Sequence, residues 1–167
     1  MNIIIEPIKN EEKEILRNLL EKYNYEFSQY ENTDVNALGL YGYDYMDYYW
    51  TTKNKYPYFI KVDNILAGFA MVSDHPDVNI KTDFTMAEFT VLIKYRKMGI
   101  GKYVVNKLFE RHKGKWQIKY HPKNIPSEKF WTNIVNEYTK GKYEIIENNE
   151  ETIYRDGTLG KVLVFET

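Results

Sequence analysis

Residues 86–111 carry three signals in a fixed order: an apolar strand-like run, a turn with glycines at 99 and 101, and an amphipathic stretch. The run 84–93 is the longest strand candidate in the chain. Beyond the turn, Ile100, Val104, Val105, Leu108 and Phe109 mark one face of a helix. Arg111, His112 and Lys113 place cations at its negative end, and Gly114 stops it. His112 there reads as a surface cation.

The rest of the chain supplies neighbours for this unit. A first strand is expected over 2–6, and a helix over 11–23, where Ile15, Leu16, Leu19, Leu20 and Tyr23 share a face. From 24 to 49 the periodicity breaks down, and Gly39, Gly42 and clustered Asp, Asn and Tyr predict loop and short irregular helix. Runs 58–62 and 65–72 flank Asp63-Asn64, a pair suited to a tight hairpin turn. A polar loop at 75–83 leads into the long run, and a strand follows the helix at 116–120. Pro126 opens a second helix bearing Phe130, Trp131, Ile134, Val135 and Tyr138, with Gly141 as its stop. Strands at 143–147 and 161–166, with a turn at Asp156-Gly157 between them, complete the chain. The expected fold class is α/β (α+β), a sheet with helices on its faces and no repeat or linker, so 1–167 reads as one domain.

Composition removes several functions. With 167 residues, 43% hydrophobic and 28% charged, the chain has the balance of a soluble globular protein. A net charge of -1 gives no long-range field for nucleic acid or anionic membranes. The absence of cysteine excludes disulfides, thiolate nucleophiles and Cys-based zinc sites. No apolar run nears the roughly 20 residues of a membrane span, so a cytoplasmic protein is expected. His75, His112 and His121 lack a metal-binding spacing, and Ser28, Ser73 and Ser127 lack a GxSxG setting.

The turn itself invites an oxyanion. Gly99 and Gly101 let the backbone approach a ligand, and the helix that follows offers N–H groups without internal partners. Arg96, Lys97 and Lys102 add cations within reach of phosphate oxygens. A Walker loop fails, because Gly101-Lys102 is followed by Tyr103 and lacks the upstream glycine. A dinucleotide fingerprint also fails, since its third glycine position holds Val104. Glycines placed for turn geometry alone remain the alternative.

The wider context carries a resemblance. Ala87-Glu88-Phe89-Thr90-Val91 followed by Arg96-Lys97-Met98-Gly99-Ile100-Gly101 resembles the strand and R/Q-x-x-G-x-G/A signature of the GNAT acetyltransferases. Trp116-Gln117-Ile118, then Asn124, Ser127, Phe130 and Trp131, are similar to that superfamily's next strand and Asn-containing helix. The resemblance spans about 84–138. It implies a mostly antiparallel mixed sheet with a splayed central strand pair, and acetyl-CoA as acyl donor. By the same resemblance the backbone of Lys97, Met98, Gly99, Ile100, Gly101 and Lys102 would hold the pyrophosphate, with Arg96 shaping the loop. Phe89, Val91 and Ile93 would pair with pantetheine, the Val91 N–H polarising the thioester carbonyl, and Asn124 would contact the cofactor arm.

Glu88 is the candidate base. Alternation places it with Met86, Thr90 and Leu92 on one face, a carboxylate among apolar neighbours whose burial raises its pKa. It can take the proton that a primary amine must lose before attacking a thioester. The competing reading is a structural carboxylate bonded to a loop N–H or a tyrosine. The acid has no counterpart: Trp131 stands where many members of the family have a tyrosine, and indole cannot protonate a thiolate. Tyr138, two turns beyond, and the loop tyrosines are the remaining phenols, and solvent can also serve.

The acceptor site is expected near 24–50, where Asp34, Asp44 and Asp47 among tyrosines could recognise a cationic amine, or form a solvated face over packed rings. The expected function is acetyl-CoA-dependent N-acetylation of a primary amine on a small molecule or peptide, by direct transfer in a ternary complex. The rivals are a weak acyl-CoA-binding module that meets a protein partner through its Tyr-rich segment, and a purely structural sheet domain. Neither a monomer nor a homodimer is excluded.

Overall fold

The computed structural model describes residues 1–167. In chain order its elements are β1 (Ile3–Pro7), α1 (Lys13–Glu31), α2 (Tyr48–Thr51), β2 (Lys55–Val62), β3 (Ile65–Ser73), β4 (Phe84–Val91), α3 (Ile100–Arg111), β5 (Lys115–Tyr120), α4 (Ile125–Thr139), β6 (Tyr143–Ile146) and β7 (Lys161–Glu166). One sheet runs β1-β2-β3-β4-β5-β7-β6 and is antiparallel except where β4 meets β5. The Asp63-Asn64 hairpin forms as expected, both residues at positive φ of 48° and 65°.

Alternation along the strands feeds two cores. Tyr58, Ile60 and Val62 of β2 and Ala70 and Val72 of β3 pack with Val104, Val105 and Leu108 of α3 and Ile134 and Val135 of α4. On the opposite face Phe59, Phe69 and Met71 pack with Leu16, Leu19 and Leu20 of α1 and Tyr49 of α2. Helices therefore cover both faces of the sheet.

Two register shifts shape its centre. On β3 the pairing steps past Ala67, whose carbonyl accepts the Leu92 N–H at 2.8 Å. On β4 it steps past Ala87, setting Glu88 opposite Met71 and Met86 opposite Val72. A bulge bends its strand, and this one follows the last rung that β4 shares with β5. Only Phe84 with Trp116 and Thr85 with Gln117 are paired there, so the two strands form the expected splay.

The bulge corrects one expectation: Met86 joins the α3/α4 core alongside Phe89 and Val91, while Ala87 packs on the α1 side. Residues 24–31, expected to open a stretch of loop and short irregular helix, continue α1 instead. Their face carries Phe27, Tyr30 and Glu31 rather than aliphatics, with Tyr23 and Phe27 rings 4.4 Å apart. That face borders a cavity, so no aliphatic stripe marks it. The long strand also ends at Val91, and Ile93, 77% exposed, lies in a 3-10 turn rather than in the strand.

Candidate active site

A cavity of about 660 Å³ opens between the second half of α1 and the splayed strands, walled by loops around 41–45, 75–77 and 151–155. α1 fixes the first loop: Glu21 accepts the N–H groups of Tyr41 and Gly42 at 2.8 and 2.7 Å, and Asn24 donates to the Gly42 carbonyl at 2.9 Å. The Gln117 side chain, fully buried on β5, holds the second loop. It accepts the N–H groups of Asp77 and Val78 and donates to the Val78 carbonyl and the Thr82 hydroxyl.

Glu88 lies on the cavity floor. The Tyr43 hydroxyl donates to its Oε1 at 3.1 Å, and the Tyr23 hydroxyl lies near it. Burial pushes its pKa up to about 7 against the opposing pull of these two hydroxyls. The same burial, with the neighbouring carboxylate, raises both tyrosines, so they remain donors across the physiological range. Glu88 is thus a tyrosine-bonded carboxylate whose pKa lies near neutrality.

The glycine turn has the geometry of an anion cradle. Lys97 and Gly99 adopt positive φ of 61° and 78°. The first N–H of α3 to find a carbonyl is that of Tyr103, on Gly99 at 3.0 Å. No side chain caps the helix, and the N–H groups of Ile100, Gly101 and Lys102 have no acceptor in the chain. Gly101 has a second reason to be glycine: a Cβ there would sit 2.9 Å from the Phe130 ring.

Two of the three expected cations are engaged elsewhere. Arg96 binds Glu26 of α1 through two 2.6 Å bonds and donates its Nε to the Val91 carbonyl at 2.7 Å. Lys102 pairs with Glu137 of α4. The Val91 carbonyl therefore points away from β3, and by strand geometry its N–H faces the splay with it.

Other expected residues fall variously. Asn124 caps α4, its side chain accepting the Ser127 N–H at 3.1 Å. Trp131 is buried against Phe89 and Phe130 and lines the cavity. Tyr138 does not line that cavity, and its hydroxyl accepts from Lys113 at 2.8 Å. Asp44 lines the cavity, Asp34 does not, and Asp47 pairs with Lys13 at 3.2 Å. His112 is not the expected surface cation. It is buried with its Nε2 2.8 Å from the Tyr58 hydroxyl, and burial beside Arg111 lowers its pKa.

Sequence reasoning did not assign Tyr23, Glu31, Asp77 or Tyr154 to the site, though all four line the cavity. The 23, 27, 31 spacing on α1 was the available signal, because every fourth residue continues one helix face. Tyr154 and Asp77 come from loops and leave no periodic trace.

This architecture matches solved acetyltransferases. An acetyltransferase from Thermus thermophilus superposes with TM-score 0.69 at 9% identity, covering 100% of this chain and 98% of that one. The PaiA N-acetyltransferase from Thermoplasma acidophilum, in complex with coenzyme A, gives 0.63 at 12% identity with 100% of each chain covered. NAA60 from Arabidopsis thaliana, in complex with acetyl-CoA, gives 0.64 at 12% identity, covering 99% and 98%. At such identities the likeness speaks for the fold alone. No curated protein matches the sequence. Residues 14–134, however, match the acetyltransferase (GNAT) family, and the chain belongs to that family. No helix is long and apolar enough to cross a membrane.

Proposed function

We propose that the protein transfers the acetyl group of acetyl-CoA to a primary amine of a small molecule or peptide in a ternary complex, with Glu88 as the base. The observation that carries this reading is Glu88 itself, a half-buried carboxylate with its pKa raised to about 7 where the cavity meets the splayed strand. The turn fits the cofactor: the unpartnered N–H groups of Ile100, Gly101 and Lys102 would bind pyrophosphate oxygens. Phe89 and Val91 would offer main-chain groups to the pantetheine arm, and Asn124 would meet it at the start of α4. Acetyl-CoA supplies a thioester whose carbonyl carbon accepts the amine lone pair and whose C–S electron pair leaves on sulfur.

The protein's part is to remove one proton and align the amine. Glu88, ionised above about pH 7, takes the proton from the acceptor nitrogen, with Tyr43 fixing the carboxylate. Trp131 has no acidic proton and Tyr138 does not line the cavity, so the departing thiolate would take its proton from solvent or from a phenol of the cavity wall. The coenzyme A complexes among similar folds support the donor.

Release of free thiol from acetyl-CoA across a panel of primary amines tests the reading, alongside melting with and without acetyl-CoA. The expected results are turnover with at least one amine and a melting point raised by the cofactor. Absence of both would reject it.

A further inference from the structure

We propose that the acceptor carries a second cationic nitrogen, as a diamine or polyamine does, and that Glu31 and Asp77 hold it across the cavity from Glu88. The proposal rests on the acetyltransferase reading for the role of Glu88, and on separate observations for the subsite.

Five carboxylates border the cavity, Glu31, Asp44, Asp77, Glu88 and Glu151, against only two fixed cations, Lys119 and Arg155. The carboxylate of Glu31, half-buried at the end of α1, has no hydrogen-bond or ion-pair partner within the chain. The carboxylate of Asp77 has one, the Lys119 ammonium at 3.5 Å, which also lies over the Tyr154 ring. Burial raises the pKa of both more than the surrounding cations lower it. Carboxylates removed from water and left undercompensated call for positive charge from a ligand.

A second observation comes from the sheet beneath. Thr85, on the last rung joining β4 to β5, lines the same cavity, is 2% exposed, and has a hydroxyl with no partner in the chain. Tyr154 lines the same cavity, its hydroxyl in the fields of Asp77, Glu31 and Glu88. Its ring is held by His121 at 4.6 Å and by Lys119 at 4.8 Å, and no Cβ could fit at Gly160 beside it. An ammonium group finds carboxylates, neutral hydroxyl acceptors and an aromatic wall there, the combination that favours cations over neutral or anionic groups. One nitrogen reacts near Glu88 and loses its proton; the other stays protonated and anchors the chain.

Calorimetric binding separates this subsite from turnover. α,ω-Diamines with three to six methylenes are compared with n-alkylamines of equal length, on the full chain with acetyl-CoA present. The best diamine should bind at least tenfold tighter than its monoamine. Glu31→Gln and Asp77→Asn should each reduce that ratio severalfold, their folding checked by melting. A ratio near one overturns the subsite, as does tighter binding of zwitterionic amino acids than of diamines. Thiol release in the same samples reports on the acetyltransferase reading by itself: preferential diamine binding without any release would sustain the subsite and reject the transfer.

Discussion

Glu88 sits where burial and function pull together. Its folded pKa, about 7, lies above the 4.5 of an ordinary glutamate. The proposed base is active when ionised, so kcat/KM should rise with pH through about 7. Glu88→Gln should remove that limb and lower turnover by roughly 10²-fold, with acetyl-CoA affinity nearly unchanged. The stability effect has the opposite slope. Between about pH 4.5 and 7 the native state keeps a proton that the unfolded chain has lost, so stability falls as pH rises through that window. Glu88→Gln should therefore stabilise the fold at pH 8 by on the order of 1–3 kcal/mol, read as a higher melting temperature, and leave it unchanged at pH 4. Unequal kinetics with equal melting at pH 8 would separate the base from the buried charge. Glu88 was legible because strand alternation isolates a carboxylate among apolar residues. Tyr43, 45 residues away, was not, because the loop that carries it is placed by Glu21 and Asn24 of α1.

Among the elements, those that pack one face on a core were readable and those that border the cavity were not. α3 ends where its apolar stripe ends, while α1 outruns its stripe by two turns of cavity-facing residues. Bulges escape as well, since one extra residue leaves the apolar count intact but turns Met86 to the other face. Glycines likewise mean different things in different elements. On β3, a Cβ at Gly68 would lie 2.2 Å from the Thr90 carbonyl oxygen, a backbone atom that cannot yield without parting β3 from β4. In the turn, Gly99 has open space around it and only its φ of 78° demands glycine. Urea denaturation should show Gly68→Ala losing about 3 kcal/mol and Gly99→Ala about 1 kcal/mol. The reverse ranking would mean that the sheet accommodates the methyl group.

Over the whole molecule, the Arg96–Glu26 pair ties the helix that walls the cavity to the glycine turn, the proposed acceptor and cofactor sides. Glu26 belongs to the helix that walls the cavity, and Arg96 leads the turn and holds the Val91 carbonyl. Both side chains are more than one-third exposed, so the pair adds little to stability, about 1 kcal/mol or less. Its effect should appear in geometry. In two-substrate kinetics Glu26→Gln should raise the KM of both acetyl-CoA and the amine severalfold, on the order of ten. An effect on one substrate alone would show that the pair serves a single site. Sequence could flag Arg96 through its place in the signature, but not its partner 70 residues away.

The two-rung seam between β4 and β5 has a consequence for how the chain opens. The sheet is two smaller sheets, one of β1 to β4 and one of β5 to β7, that share only the Phe84 and Thr85 rungs. Each can behave as its own cooperative unit in amide hydrogen exchange, with protection lowest along the join and highest in the middle of each half. A ligand lying in the splay would act there as an eighth strand, and its binding should slow exchange first at the amides of β4 that have no neighbour of their own.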